Sequence, residues 1–359
     1  MTGRCQIRFA MVGLLTGGLA CLLALGPSIG DVAQAVLSDQ EVEALAGLER
    51  IDDYPLYAMR YVGAQGVAME WEPGAENTDW GCSLFAALAG EAPVYGRNFD
   101  WTFSPALLLF TEPPDGYASV SMVDLAYLFP TDPDVLLRLT ELPIAERRPL
   151  LNAFTLPFDG MNEKGLAIGM AAVPWSPGLP ADPAKTDLDS IQIIREVLDH
   201  AANVAEAVSI FERSNVRTTA GPPLHYLVAD RSGRAALIEF YEGERVVLWN
   251  DRPWHLATNF LCAPLGPSLV GECPRYDRMA ERLEETGGAL APSRGIDLLC
   301  EVSQPGLTQW SVVYDLAAGE VRVFMGRNCD VVYAFPFRRS SASPDTGARE
   351  APPREPHGT

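Results

Sequence analysis

Strand and helix patterns in this chain come in blocks rather than alternating one by one, and that order restricts the fold more than any other feature. A hairpin pairs 82–89 with 93–101 around Gly90-Glu91, and a second turns at Asn162-Glu163-Lys164-Gly165. Helical periods follow at 191–198 and 204–211, then strands at 226–229, 235–240, 246–249 and 255–260. Two more helices, near 276–286 and 295–302, precede a hairpin of 310–315 with 321–325 and a strand at 331–335. A doubly wound sheet needs strands and helices in alternation. Consecutive strands and paired helices instead predict an α+β fold, two antiparallel sheets sandwiched between helix layers. The apolar, proline-broken stretch 106–143 is expected to form loops lining a pocket. There are no repeats, no phosphate loop and no G-x-S-x-G elbow.

The two ends are set apart from this body. Arg4 and Arg8 precede an apolar run over 9–25, and Ala33-Gln34-Ala35 is a small-x-small pattern. We read 1–35 as a signal peptide, so export to the periplasm or the medium is expected. The run is short of the ~20 residues that a spanning helix needs, so no membrane span is expected in the mature chain. Gly18-Leu19-Ala20-Cys21 is a poor lipoprotein box. The last stretch, 338–359, is rich in Pro, Ser, Arg and Glu and reads as a disordered tail. Between signal and body, Ser38 and Glu41 form a capping box for a helix over 38–50; 56–62 reads as a strand and 63–80 as a loop.

Charge narrows the partners. The formal net charge is −20 and the pI near 4.6, with Lys164 and Lys185 the only lysines. Such a chain lacks the basic face that nucleic acid requires.

Seven cysteines are present, and five remain beyond the signal: Cys82, Cys262, Cys273, Cys300 and Cys329. An odd count in an exported chain points to one unpaired thiol. The other four can pair in three ways or not at all. With no C-x-x-C spacing and four histidines, a zinc centre is not expected, nor any other cofactor. Gly81-Cys82 opens the first hairpin strand. A thiol is a strong nucleophile but is mostly protonated at pH 7. Cleavage before Cys82 would place an α-amine, of pKa about 7.7–8.0, beside its own sulfur as a base. On the partner strand, Arg97 and Asp100 are charges in a segment that should be core. Buried charges are costly unless paired, so they suggest a site.

Gly81-Cys82, Tyr95-Gly96-Arg97-Asn98-Phe99-Asp100, Asp159-Gly160-Met161-Asn162-Glu163-Lys164-Gly165-Leu166 and Thr258-Asn259-Phe260 occur in that order. Together they resemble the choloylglycine hydrolase/penicillin V acylase family of linear amide C–N hydrolases, to which acid ceramidase and the penicillin acyltransferases are related. The resemblance spans about 82–337. It implies the four-layer αββα N-terminal-nucleophile sandwich and a hydrolase acting on a small N-acyl amide. It further implies Cys82 as nucleophile and, through its freed amine, base. Arg97 and Asp100 would hold thiolate and amine. Asn259 by its side-chain amide and Asn162 by its backbone N–H would form the oxyanion hole, and Arg275 matches a late arginine of the family. The 46 residues from Val36 to Gly81 then resemble a self-cleaved propeptide, or a small subunit that stays with the 82–359 chain. Two other functions remain open. The same thioester can pass its acyl group to another amine, and an uncut Cys82 would leave a binding protein. Homo-oligomers are also compatible with the sequence. Trp101, Phe103, 107–110 and Trp175 are candidates for an acyl pocket or plain core.

Overall fold

The computed structural model describes residues 36–63, 81–129, 133–174, 178–218, 221–266, 268–337 and 349–350. The signal peptide, the loop 64–80, Trp175 and most of the tail therefore lie outside the described residues; 349–350 pair as a short strand. From residue 37 onward the chain is one compact unit.

The N-terminal segment contributes α1 (Asp39–Ala46), β1 (Glu49–Asp52) and β2 (Leu56–Tyr61). Ser38 caps α1 through the expected reciprocal bonds with Glu41. Next come β3 (Gly81–Ala87), β4 (Val94–Asp100), β5 (Ala106–Thr111), β6 (Ser119–Asp124), β7 (Asp159–Asn162), β8 (Leu166–Ala172) and β9 (Thr186–Asp189). The helices α2 (Gln192–His200) and α3 (Val204–Arg213) lead to β10 (Ser214–Arg217), β11 (Leu224–Asp230), β12 (Ala235–Tyr241), β13 (Glu244–Trp249) and β14 (Trp254–Ala257). After α4 (Pro274–Glu285) and α5 (Pro292–Glu301), β15 (Thr308–Asp315), β16 (Glu320–Met325), β17 (Tyr333–Pro336) and β18 (Arg349–Glu350) complete the chain.

A nine-stranded sheet runs β1-β2-β5-β6-β7-β8-β11-β12-β13, and a seven-stranded sheet runs β14-β3-β4-β15-β16-β17-β18. The helices α2 and α3 cover the outer face of the larger sheet, and α4 and α5 that of the smaller, giving the αββα layering. Every pairing within the two large sheets is antiparallel except one. Strand β2, from the segment before Cys82, runs parallel to β5, and β9 with β10 forms a small parallel ribbon apart from both.

The stretch 106–143 departs from its expected loops. Strands β5 and β6 fill its first half, both fully buried, and short 3-10 turns fill much of the rest. In β5, burial on both faces removes the polar alternation by which a strand announces itself. The sheets meet closely at Gly169 of β8. A Cβ there would lie 2.8 Å from Tyr95 Oη and 3.0 Å from Leu84 Cδ2, so only glycine allows this approach. Cys300 and Cys329 form a disulfide that ties α5 to the loop after β16; Cys82, Cys262 and Cys273 are free thiols. No described helix is long and apolar enough to cross a membrane.

Candidate active site

The hairpin β3–β4 positions the site by register. Cys82 pairs with Phe99 and Leu84 with Arg97, so these four side chains share the face turned toward the larger sheet. Gly81 pairs with Asp100, and Ser83 with Asn98, on the face beneath the helices. Arg97 is fully buried and spends its guanidinium on defined partners. Nη1 donates to Asp159 Oδ2 at 2.5 Å and to Phe158 O at 3.1 Å, and Nη2 reaches Cys82 Sγ at 3.6 Å. Tyr314 Oη donates to the other oxygen of Asp159. A buried arginine demands a buried carboxylate, and Asp159 is the one supplied. The sequence named Asp159 only as part of a turn motif; the unpaired charge of Arg97 on a core strand was the signal for it.

The backbone of Cys82 is held by two further side chains. Its backbone N–H donates to Asn259 Oδ1 at 2.7 Å. Arg275 donates to Cys82 O, to Ser83 Oγ at 2.9 Å and to Asn259 Oδ1 at 2.9 Å. Asn259 Nδ2 donates to Ala172 O at 2.8 Å. The amide orientation follows from chemistry, since two donors face Oδ1 and a carbonyl faces Nδ2. Asp100 is near but acts from behind: Gln304 Nε2 (2.6 Å) and Thr308 Oγ1 donate to its carboxylate, and Arg275 Nη1 is 3.7 Å away.

The side chain of Asn162 is not brought to this cluster. It ends β7 on the face opposite Asp159, toward the helices. Its Nδ2 donates to Leu198 O (3.0 Å) and Ala201 O (2.8 Å), and its Oδ1 accepts the Lys164 and Leu166 N–H groups. It lies three residue steps along the strand from Asp159, ~10 Å. It shapes the β7–β8 turn and fixes α2. Arg97, Asp100, Asn259 and Arg275, by contrast, all converge on Cys82.

Cys82 opens onto a cavity lined by Arg97, Phe99, Trp101, Tyr127, Phe158, Met170, Ala172, Ile191 and Leu224, with Asp189, Ser190, Gly221 and Pro222 also on its wall. Trp101 thus lines it as expected, whereas 107–110 are core within β5 and Phe103 is exposed. The lining is mostly apolar and aromatic, which suits an apolar acyl group. Burial pushes the Cys82 thiol up, against the pull of Arg97 and with Asp100 adding to the rise. Burial likewise raises Asp100, opposed by Thr308, Gln304 and Arg275. In the uncut chain the thiol is therefore protonated. Cys262, the other buried free thiol, is also pushed up, by burial and by Glu239. Among the described residues no three His, Cys, Asp or Glu side chains cluster to hold a metal.

Residues 146–259 match the family model of linear amide C-N hydrolases, choloylglycine hydrolase family; the match contains Asp159 and Asn259 and stops short of Cys82. No curated protein sequence matches the chain. Among solved structures, two variants of the conjugated bile acid hydrolase of Clostridium perfringens share the fold. One has a TM-score of 0.54 at 16% identity, over 76% of this chain and 98% of that one. The other has a TM-score of 0.53 at 17% identity, over 76% and 97%. Penicillin V acylase of Agrobacterium tumefaciens is also similar, with a TM-score of 0.49, 17% identity and coverage of 71% and 86%. Over residues 146–259, and in its fold, the chain is similar to the choloylglycine hydrolase family, and it is a hydrolase acting on linear amide C–N bonds.

Proposed function

We propose that the nucleophile of this amide hydrolase is Cys82, exposed as a new N-terminus when the chain cuts its own Gly81–Cys82 bond. The observation that carries this reading is the double hold on one residue. Cys82 Sγ faces the cavity with Arg97 Nη2 3.6 Å away, while its backbone nitrogen donates to Asn259 Oδ1 at 2.7 Å.

In the cut enzyme that nitrogen is an amine within reach of its own sulfur. The amine takes the thiol proton, and the thiolate, stabilised by Arg97, attacks the substrate carbonyl carbon. The carbonyl π electrons move to oxygen. Asn259 Nδ2 carries two hydrogens, one bonded to Ala172 O; the second is the donor for this oxyanion. When the C–N bond breaks, the α-ammonium returns its proton to the leaving amine. Water then splits the thioester, releasing the acid and restoring the thiol. The acyl group occupies the aromatic cleft of Phe99, Trp101, Tyr127 and Phe158.

The raised thiol of the uncut chain fits an enzyme that is idle until processed. Residues 37–63 stay with the body after the cut, because β2 is a buried strand of the larger sheet. Tyr57 Oη donates to Leu136 O (2.9 Å), Arg50 Nη1 to Leu137 O (2.8 Å) and Arg147 Nη1 to Leu45 O (2.9 Å), cross-linking the two parts. The signal-like 1–35 directs this precursor out of the cytoplasm.

Mass spectrometry of purified protein, with hydrolysis of long-chain acyl amides, acyl-homoserine lactones and penicillin V, tests the reading. A fragment beginning at Cys82, and loss of hydrolysis in Cys82→Ala, are expected. An uncut chain that hydrolyses amides, or an active Cys82→Ala, overturns it.

A further inference from the structure

We infer that Glu239 and His225, neither of which lines the cavity, are positioning residues that hold Asn259 in register with the nucleophile. Both side chains are fully buried between the sheets. His225 stands on β11 and Glu239 on β12, and His225 Nδ1 lies 3.0 Å from Glu239 Oε1. His225 Nε2 lies 2.7 Å from Thr258 O. A carbonyl only accepts, so Nε2 carries the hydrogen and the proton between Nδ1 and Oε1 makes an ion pair or a neutral pair. Glu239 also accepts the Cys262 N–H at 2.9 Å and the Ala263 N–H at 2.7 Å.

The consequence lies in which residues are gripped. His225 fastens Thr258, immediately before Asn259, and Glu239 fastens Cys262 and Ala263, just after it. Strand β14 ends at Ala257, so no ladder of the sheet fixes the segment that carries Asn259. The pair supplies that fixture from both sides. Burial works against the charge of Glu239, but His225 and the two backbone N–H groups outweigh it and hold the carboxyl below its ordinary range. A carboxylate bonded in this way is a rigid anchor for backbone. Asn259 in turn binds the Cys82 nitrogen, Arg275 and Ala172 O, and misplacing such a contact by ~1 Å can cost ~100-fold in rate.

This inference rests on the reading of Cys82 as the nucleophile, and the experiment separates the two. With the amide that the wild type turns over best, Glu239→Gln is expected to lower kcat by ~10–100-fold with KM within about twofold. In an Asn259→Ala background the same change is expected to cost less than about twofold, because the group it positions is gone. His225→Gln leaves Glu239 and its two backbone contacts intact and carries the same test if Glu239→Gln does not fold. Wild-type kcat in folded variants, an equal loss in both backgrounds, or failure of both variants to fold overturns the inference and leaves the pair a structural one. Activity that survives Cys82→Ala overturns the nucleophile reading instead.

Discussion

Arg97 stands between Cys82 and Asp159, with Nη2 3.6 Å from the sulfur, Nη1 2.5 Å from the carboxylate, and all three groups buried. Asp159 balances the guanidinium while the thiol is neutral, and the same cation is in place when the thiol ionises. The arrangement is fixed before any charge develops, which is what electrostatic stabilisation at low dielectric requires.

Removing the carboxylate isolates the cation. Asp159→Ala leaves Arg97 buried without its partner and is expected to cost about 3–5 kcal/mol of stability. Asp159→Asn keeps the shape and an acceptor for Tyr314 Oη, and is expected to cost less. Urea denaturation of both variants checks the order; equal losses would mean that packing, not charge, sets the cost.

Asn162 gives the opposite case, a residue of the family-like motif whose four hydrogen bonds all serve a turn and a helix end. Asn162→Ala strands two carbonyls and two N–H groups, so a loss of ~3 kcal/mol is expected. Hydrolysis per folded molecule is expected to stay within about threefold of wild type. A collapse of kcat with unchanged stability would give the Asn162 side chain a part in the catalytic machinery.

What the sequence made legible follows from how each residue is bonded. The layered plan was readable because amphipathic helices and hairpin turns leave local signals; α2 to α5 and the turn at Gly90 all lie where the periods put them. Strand β5 was not, since its apolar run, buried on both faces, shows no alternation. The neighbourhood of Cys82, Arg97 and Asp100 was legible because charges stand out on a core strand. The turn-and-helix role of the Asn162 side chain was not legible, because a motif gives order along the chain but not which face of a strand a side chain takes. Asp159 and the His225–Glu239 clamp escaped for the complementary reason: each acts through contacts between residues 14 to 62 apart in sequence, which no local pattern encodes.

If the chain cuts itself before Cys82 as proposed, a side chain at Gly81 is expected to slow the cut. A Cβ at this position would lie 3.2 Å from Asp100 Oδ2, 3.3 Å from Asp100 Cβ and against Gln304 Nε2. Accommodating it means driving Gln304 off the Asp100 carboxylate, the bond that closes the back of the site. Gly81→Ala is expected to accumulate as uncut chain, with cleavage slowed at least ~10-fold, followed by mass spectrometry over time. Wild-type processing of this variant would show that the close fit behind the scissile bond is not needed.

Asp124 sets a pH dependence away from the chemistry. It is fully buried at the end of β6, and burial pushes its carboxyl up to about 7, against the hydrogen bond from Ala126 N–H and the proximity of Ser104. An acid raised in the fold binds its proton more tightly there than in the unfolded chain. Its contribution is therefore fully present below about pH 4 and is lost as pH rises through about 7. The rise spans about three units, which bounds the effect near 4 kcal/mol. Asp124→Asn, neutral at every pH, removes this dependence. The stability of the variant relative to wild type is expected to climb between pH 5 and 8, read as a widening gap in Tm between the two proteins. A gap that stays constant over that range would mean that Asp124 is ionised in the fold throughout, and that its buried carboxylate is balanced by its surroundings rather than by a proton.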